Sequence, residues 1–162
     1  MRVAVLTIST SRSAGAGADS SGDAIVAWIN AGRHTLAARE LVSDDGASII
    51  ALLTDWCDTG AADLILTTGG TGLSPTDVTP EATRVVLERE APGIAERIRS
   101  LSLESFPRAA LSRGLAGSRN KTLIVNLPGS PNGVRDALSA LDPIVTHACD
   151  VLRGTAVHGA VG

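Results

Sequence analysis

Residues 64–83 read LILTTGGTGLSPTDVTPEAT, and the fold is decided there. An apolar run that follows Asp63 reads as a buried strand, Gly69, Gly70 and Gly72 make a bare loop, and Pro80 suits the first turn of a helix. Strand, glycine loop and helix in that order let the main chain approach a ligand closely. Unpaired amide hydrogens near the helix start favour an anion such as phosphate. Asp77 sets a carboxylate beside that anion site, an unfavourable placement unless a metal ion or a proton transfer uses it, and the conflict points to phosphate chemistry. The plainer reading is a tight turn of the kind common in α/β proteins.

Outward from this loop the chain alternates strand and helix. Residues 1–8 read as a first strand, 9–21 as a polar, glycine-rich loop, and Ile25, Val26, Trp28 and Ile29 as a helix that Gly32 ends. Residues 35–42 suggest a second strand. Ile49, Ile50, Leu52, Leu53 and Trp56 mark a helix starting near 43–47, and 64–67 form strand three. This order argues for an α/β fold in three layers, a mostly parallel central sheet flanked by helices with right-handed crossovers. Ala82, Val85, Val86 and Leu87 define one further helix, and Ile94, Ile98 and Leu101 another directly after it. Residues 111–117 suggest an edge strand that turns through Ser118-Arg119-Asn120 into a strand over 121–126, and Pro128 and Pro131 bracket the turn into a last helix over 132–152. A single domain over 1–154 and a fraying tail over 155–162 are expected.

The 162 residues suit one domain, and with 44% hydrophobic but 2% aromatic residues the core must come from Ala, Val, Ile and Leu. The net charge is −3 and Lys121 is the one lysine among 14 basic residues, so a nucleic-acid partner is not expected. Arg12, Arg113 and Arg119 lie near Gly/Ser-rich loops, where a guanidinium either grips phosphate or points into solvent. Cys57 and Cys149 form no Cys-x-x-Cys, and His34, His147 and His158 are far apart, so no zinc or redox motif is present locally. Both cysteines read as small core residues of a reducing compartment. The apolar start is too short for a signal peptide or a membrane span, and a cytoplasmic location without membrane attachment is the expectation.

Neither common nucleotide fingerprint is met. The spacing from Gly17 to Gly22 imitates a phosphate loop, but Asp23 and Ala24 stand where Lys and Ser or Thr are needed, and Ser20 spoils a Gly-x-Gly-x-x-Gly reading. In open parallel sheets, ligands gather at the carboxyl ends of the strands. That rule unites loop 9–12, Ser43-Asp44-Asp45, loop 68–77 and loop 126–131 in one crevice. Asp44 and Asp77 would face each other across it as two hard oxygen ligands for magnesium, although Asp44 also reads as a helix N-cap.

These residues resemble the molybdopterin adenylyltransferase family, the Mog/MoaB group that includes the G domains of gephyrin and its plant counterpart. The likeness is carried by Thr67-Thr68-Gly69-Gly70-Thr71-Gly72, by Asp77-Val78-Thr79-Pro80-Glu81-Ala82-Thr83 and by Asn126-Leu127-Pro128-Gly129-Ser130-Pro131. Residues 13–19 with Ser21-Gly22, the Asp44-Asp45 pair, Leu111-Ser112-Arg113 and the closing helix through His147 add support in the same order.

The resemblance implies transfer of the adenylyl group of ATP, with Mg2+, onto the terminal phosphate of molybdopterin, releasing pyrophosphate. Asp77 matches the family's essential aspartate and Asp44 its second acidic position, both as catalytic residues and metal ligands. The loop of Gly69, Gly70, Thr71 and Gly72 would hold nucleotide phosphates by its backbone amides, the Thr71 and Ser74 side chains either bind phosphate or cap that same turn, and Thr68 is placed among the binding residues. The pterin is expected near Ser112, Asn126, Pro128, Gly129, Ser130 and Pro131, and Glu81 is placed at the site or merely complements its helix dipole. A homotrimer and hand-over to a molybdenum insertase are also implied. The rival reading is a MoaB-type protein that binds molybdopterin or its precursor without catalysis; retention of both Asp44 and Asp77 favours the enzyme.

Overall fold

The structure is a computed structural model and describes residues 1–156, so most of the tail expected over 155–162, and His158 with it, lies outside the described residues. Four strands carry the site: β1 (Arg2–Ile8), β2 (Thr35–Val42), β3 (Leu64–Thr68) and β6 (Thr122–Leu127). They run parallel, and the sheet continues through β5 (Ala116–Arg119) and β4 (Arg89–Glu90), each antiparallel to its neighbour, in the order β2-β1-β3-β6-β5-β4.

Alternation within the strands explains the three layers. Val3, Val5, Leu64, Leu66, Leu123 and Val125 face α2 (Ser20–Ala31), α5 (Pro92–Leu103) and α6 (Pro131–Arg153), where they meet Ile25, Ile29, Ile98 and Leu141. Ala4, Leu6, Ile65 and Ile124 face α3 (Gly46–Asp58) and α4 (Thr79–Val86), where they meet Ile49, Leu53, Trp56 and Ala82. Because both faces are covered, the central strands are continuous apolar runs without a polar side. The short helix α1 (Thr10–Ser13) interrupts the first loop. Cys57 and Cys149 are buried in this core, and burial pushes both thiols up to about 11.

Three expectations need correction. The helices α4 and α5 are not consecutive, because β4 stands between them and takes the sheet edge from β5; a two-residue strand carries no periodicity to betray it. Val85 is 68% exposed and Leu87 lies past the helix end in extended backbone, so the buried stripe of α4 is Thr79, Ala82, Thr83 and Val86 instead. The edge strand expected over 111–117 starts later, β5 taking in Ser118 and Arg119 of the expected turn, and a 3-10 helix, Pro107–Leu111, occupies its approach.

At the amino end of the sheet, Asp63 accepts hydrogen bonds from the Arg2 amide (2.7 Å) and guanidinium (2.9 Å) and from Arg153 (3.1 Å). Burial works against its charge, but these donors hold its carboxyl below the ordinary aspartate range. A depressed carboxyl pKa stabilises the fold above the unfolded value, near pH 4, and that stabilisation is lost as pH falls through the folded value. Thermal unfolding followed from pH 6 down to pH 2 should therefore steepen its decline below about pH 4. Asp63→Asn should start less stable and decline more gently; an unchanged slope would remove Asp63 from the account.

Candidate active site

The registers Ile8↔Val42, Thr7↔Thr68 and Thr68↔Leu127 bring the carboxyl ends of the four parallel strands level. Their loops meet where the chain order reverses about β1, as expected for a ligand crevice. Gly69 (φ 101°) and Gly70 (φ 63°) both adopt backbone that L side chains resist. A Cβ at Gly69 would strike the Ile8 carbonyl, one at Gly70 the Thr79 hydroxyl, and one at Gly129 would sit 3.2 Å from the Gly69 Cα. The glycines thus let three loops pack backbone against backbone, and the tight-turn reading is part of the truth. Gly69→Ala should cost about 2–4 kcal/mol from left-handed strain and the clash together, visible as a lowered denaturant midpoint. A midpoint equal to the wild type's would show that the loop relaxes freely.

Hydrogen bonds then sort the loop's polar groups. The Thr79 hydroxyl and amide donate to the carbonyls of Gly69 (2.9 Å) and Gly70 (3.1 Å), and the Thr68 hydroxyl donates to the Pro128 carbonyl (2.6 Å). Among the described residues, no hydrogen bond engages the amides of Gly70, Thr71 or Gly72. The carbonyls are tied down and three successive amides are left for an anion.

Two carboxylates border those amides. Asp44 accepts from the Thr10 amide and hydroxyl, both 2.8 Å, through one oxygen; the other lies 3.1 Å from where a Gly70 Cβ would be. The N-cap of α3 is Asp45, which accepts from Ser48, so Asp44 is not occupied by capping. Asp77 accepts from the Ser74 amide (3.1 Å) through the oxygen that packs against Gly72. Each acid keeps one oxygen without a hydrogen bond among the described residues. The glycines they touch are two positions apart, so no more than about 7 Å of chain separates them.

Arg113 is spent on the protein. Its guanidinium donates to the Gly72 carbonyl (2.7 Å), to the Asp77 carbonyl (2.7 Å) and to Glu81, while its amide donates to the Thr71 carbonyl (2.9 Å). The Arg113 hydrogen bond holds Glu81 below the ordinary glutamate range, so Glu81 anchors a brace as well as starting α4. Arg119 belongs to the opposite end of the sheet, paired with Asp58, and the phosphate-gripping option fails for it. Arg12 donates to the Ser21 hydroxyl at 3.1 Å.

A cleft of about 340 Å³ opens beside the loop and is lined by Gly70, Thr71, Gly72, Asp77, Ser112, Pro128, Gly129 and Ser130 among others. Most of the expected pterin-side residues are there. Asn126 is not on the wall: it is 4% exposed, donates to the Thr67 and Thr83 hydroxyls (both 2.9 Å) and accepts from the Leu115 amide (3.0 Å). It supports the site from beneath. Thr68 is likewise buried, Pro131 opens α6, and the Ser74 hydroxyl pairs with that of Thr76 (2.9 Å). Ser130 caps α6 by accepting from the Gly133 amide (3.1 Å) and still lines the cleft. The other wall, with Ile98, Arg99, Ser102, Phe106 and Asp136, was not anticipated; a serine or aspartate at one helical position carries no distinguishing pattern. A larger hollow of about 930 Å³ between α2 and α6 includes none of the four loops' glycines or acids.

Comparison with known proteins agrees with this geometry. Residues 4–147 match the family model described as "Probable molybdopterin binding domain". The chain is 44% identical over 115 residues to a molybdopterin adenylyltransferase of Helicobacter pylori, an alignment spanning 71% of this chain and 65% of that relative. It is 37% identical over 161 residues to the molybdopterin adenylyltransferase of Escherichia coli, spanning 98% of this chain and 79% of the relative. Among solved structures, the molybdopterin biosynthesis enzyme MoaB of Thermus thermophilus superposes with a TM-score of 0.89 at 48% identity, covering 94% of this chain and 96% of that one. Sequence, sheet order and the loops around the glycine turn therefore agree that the chain belongs to the molybdopterin-binding domain family.

Proposed function

We propose that this chain is a molybdopterin adenylyltransferase in molybdenum cofactor biosynthesis. The observation that carries the reading is the run of three unpaired amides at Gly70, Thr71 and Gly72 between two carboxylates that each keep a free oxygen. A pterin carrier without catalysis has no need of paired acids beside a phosphate loop. A terminal phosphate oxygen of molybdopterin attacks the α-phosphorus of ATP; a new phosphorus–oxygen bond forms, the bond to the β-phosphate oxygen breaks, and pyrophosphate leaves. The nucleophile is already ionised near neutral pH, so alignment and charge neutralisation dominate over base catalysis.

The backbone amides hold phosphate oxygens and cost no reorganisation, because the Thr79 and Thr68 hydrogen bonds fix the loop beforehand. Asp44 and Asp77 fit a magnesium ion, each offering one hard oxygen from a different strand end. The ion, when bound, neutralises charge on the triphosphate and leaving group. The test is product analysis after mixing the protein with molybdopterin, ATP and Mg2+. Magnesium-dependent formation of adenylylated pterin and pyrophosphate is the expected result; tight binding of molybdopterin with neither product would make the chain a pterin-binding module instead.

A further inference from the structure

Asp44 is held from outside its own loop. The Asp77 carboxylate takes its hydrogen bond from Ser74, three residues away, but both donors to the Asp44 carboxylate come from Thr10, which follows β1 and stands 34 residues earlier in the chain.

The contact is reciprocal. The Asp44 amide donates to the Thr10 hydroxyl oxygen at 3.2 Å, and a backbone N–H can only donate, so the hydroxyl proton is committed to the carboxylate, 2.8 Å away. The Thr10 amide, also at 2.8 Å, adds a second donor, and both fall on Oδ2. Oδ1 is the oxygen left over, and it is the one turned to Gly70, 3.1 Å from where a Cβ there would stand. The terminal torsion of an aspartate is broad and two-fold, so this choice of oxygen and angle comes from Thr10.

Thr10 is itself fixed. Ser9 caps α1 and donates its amide to the Val42 carbonyl (2.8 Å), while Arg12, two positions beyond Thr10, reaches the buried Ser21 hydroxyl (3.1 Å). Ser21 donates in turn to Asp19 (3.3 Å), which Thr7 of β1 (2.8 Å) and Arg39 of β2 (2.9 Å) tie to the sheet.

Resting on the metal role given to Asp44 in the adenylyltransferase reading, we propose that Thr10 is a positioning residue: its amide and hydroxyl lock the Asp44 carboxylate with Oδ1 toward the glycine loop. Thr10 thereby sets the affinity for the metal–nucleotide complex while touching neither metal nor nucleotide. Only the hydroxyl is open to substitution, since the amide is common to every residue but proline.

The test is calorimetric titration of ATP, once with saturating Mg2+ and once in EDTA, into the wild type, Thr10→Val, Thr10→Ser, Asp44→Ala and the Thr10→Val/Asp44→Ala double variant, with an unfolding curve on each. Thr10→Val should weaken Mg-ATP binding about 10-fold and leave ATP binding in EDTA within about twofold of wild type, and Thr10→Ser, which keeps the hydroxyl, should stay within about threefold on both. On the Asp44→Ala background, Thr10→Val should add no more than about twofold, because the group it acts through is gone. If Thr10→Val does not fold, Thr10→Ala gives the same readout, since alanine also lacks the hydroxyl and suits a helical turn. Equal losses with and without Mg2+, wild-type Mg-ATP affinity in the folded variant, or a loss that persists on the Asp44→Ala background overturns the positioning role, and adenylylated pterin formed by the wild type would still leave the functional reading standing. A loss confined to Mg-ATP in a protein that forms no adenylylated pterin supports the positioning role and removes the adenylyltransferase reading alone.

Discussion

Replacing Asp77 by asparagine is expected to lower adenylylation turnover by about 10²- to 10³-fold or more while molybdopterin remains bound. The substitution conserves shape: an asparagine carbonyl can still accept from the Ser74 amide, so the turn from Ser74 to Asp77 survives. What disappears is the charge beside three unpaired loop amides, and with it the hard oxygen proposed for the metal. The loss therefore falls on kcat, and the Mg2+ concentration needed for half-maximal rate rises. Asp44→Asn should act in the same direction, its geometry kept by the Thr10 amide. Single-turnover product formation at several Mg2+ concentrations, with an unfolding curve on the same preparation, checks this. Turnover within about twofold of wild type would take the chemistry away from Asp77.

The sequence already exposes the parts of this molecule governed by local chemistry. Buried parallel strands are forced to be apolar throughout, so β1 and β3 stand out, and β2 falls at Thr35–Val42 as expected. The glycine loop is legible for the same reason, since few other residues tolerate the backbone at Gly69 and Gly70. Tertiary choices are another matter. Asp44 reads as a cap on paper, but the extended backbone of Asp45, φ −115° and ψ 114°, gives the cap to that next residue and releases Asp44. Asn126 looks like a ligand because it is polar at a strand end, yet its partners Thr67 and Thr83 come from β3 and α4. Thr83 itself sits on the buried stripe of α4 to receive that bond. Polar residues that satisfy one another inside the core are invisible to hydrophobic periodicity, and two of the site's supports are of this kind.

Arg113→Ala is expected to lower kcat by about 100-fold and to destabilise the protein by about 2–3 kcal/mol, although Arg113 is proposed to touch no substrate. Its guanidinium fastens the carbonyls of Gly72 and Asp77, the two ends of the segment that carries the proposed catalytic acid, to the irregular stretch leading into β5. The backbone bond from its amide to Thr71 survives the substitution, so the loop stays attached but gains freedom around Asp77. An error of about 1 Å there is enough for the rate loss. Glu81 contributes less: its side chain is 54% exposed, so solvent screens the ion pair, and Glu81→Gln should reduce kcat by no more than about threefold. Arg113→Lys should recover little, since one ammonium on a flexible stem cannot reproduce the planar fork that reaches two carbonyls and a carboxylate. Loss of stability alone would look different. Assayed well below its unfolding temperature, Arg113→Ala should still be slow, and raised Mg2+ should restore part of its rate by favouring the ordered position of Asp77. Wild-type kcat in the folded variant would reduce Arg113 to a structural brace with no hold on the chemistry.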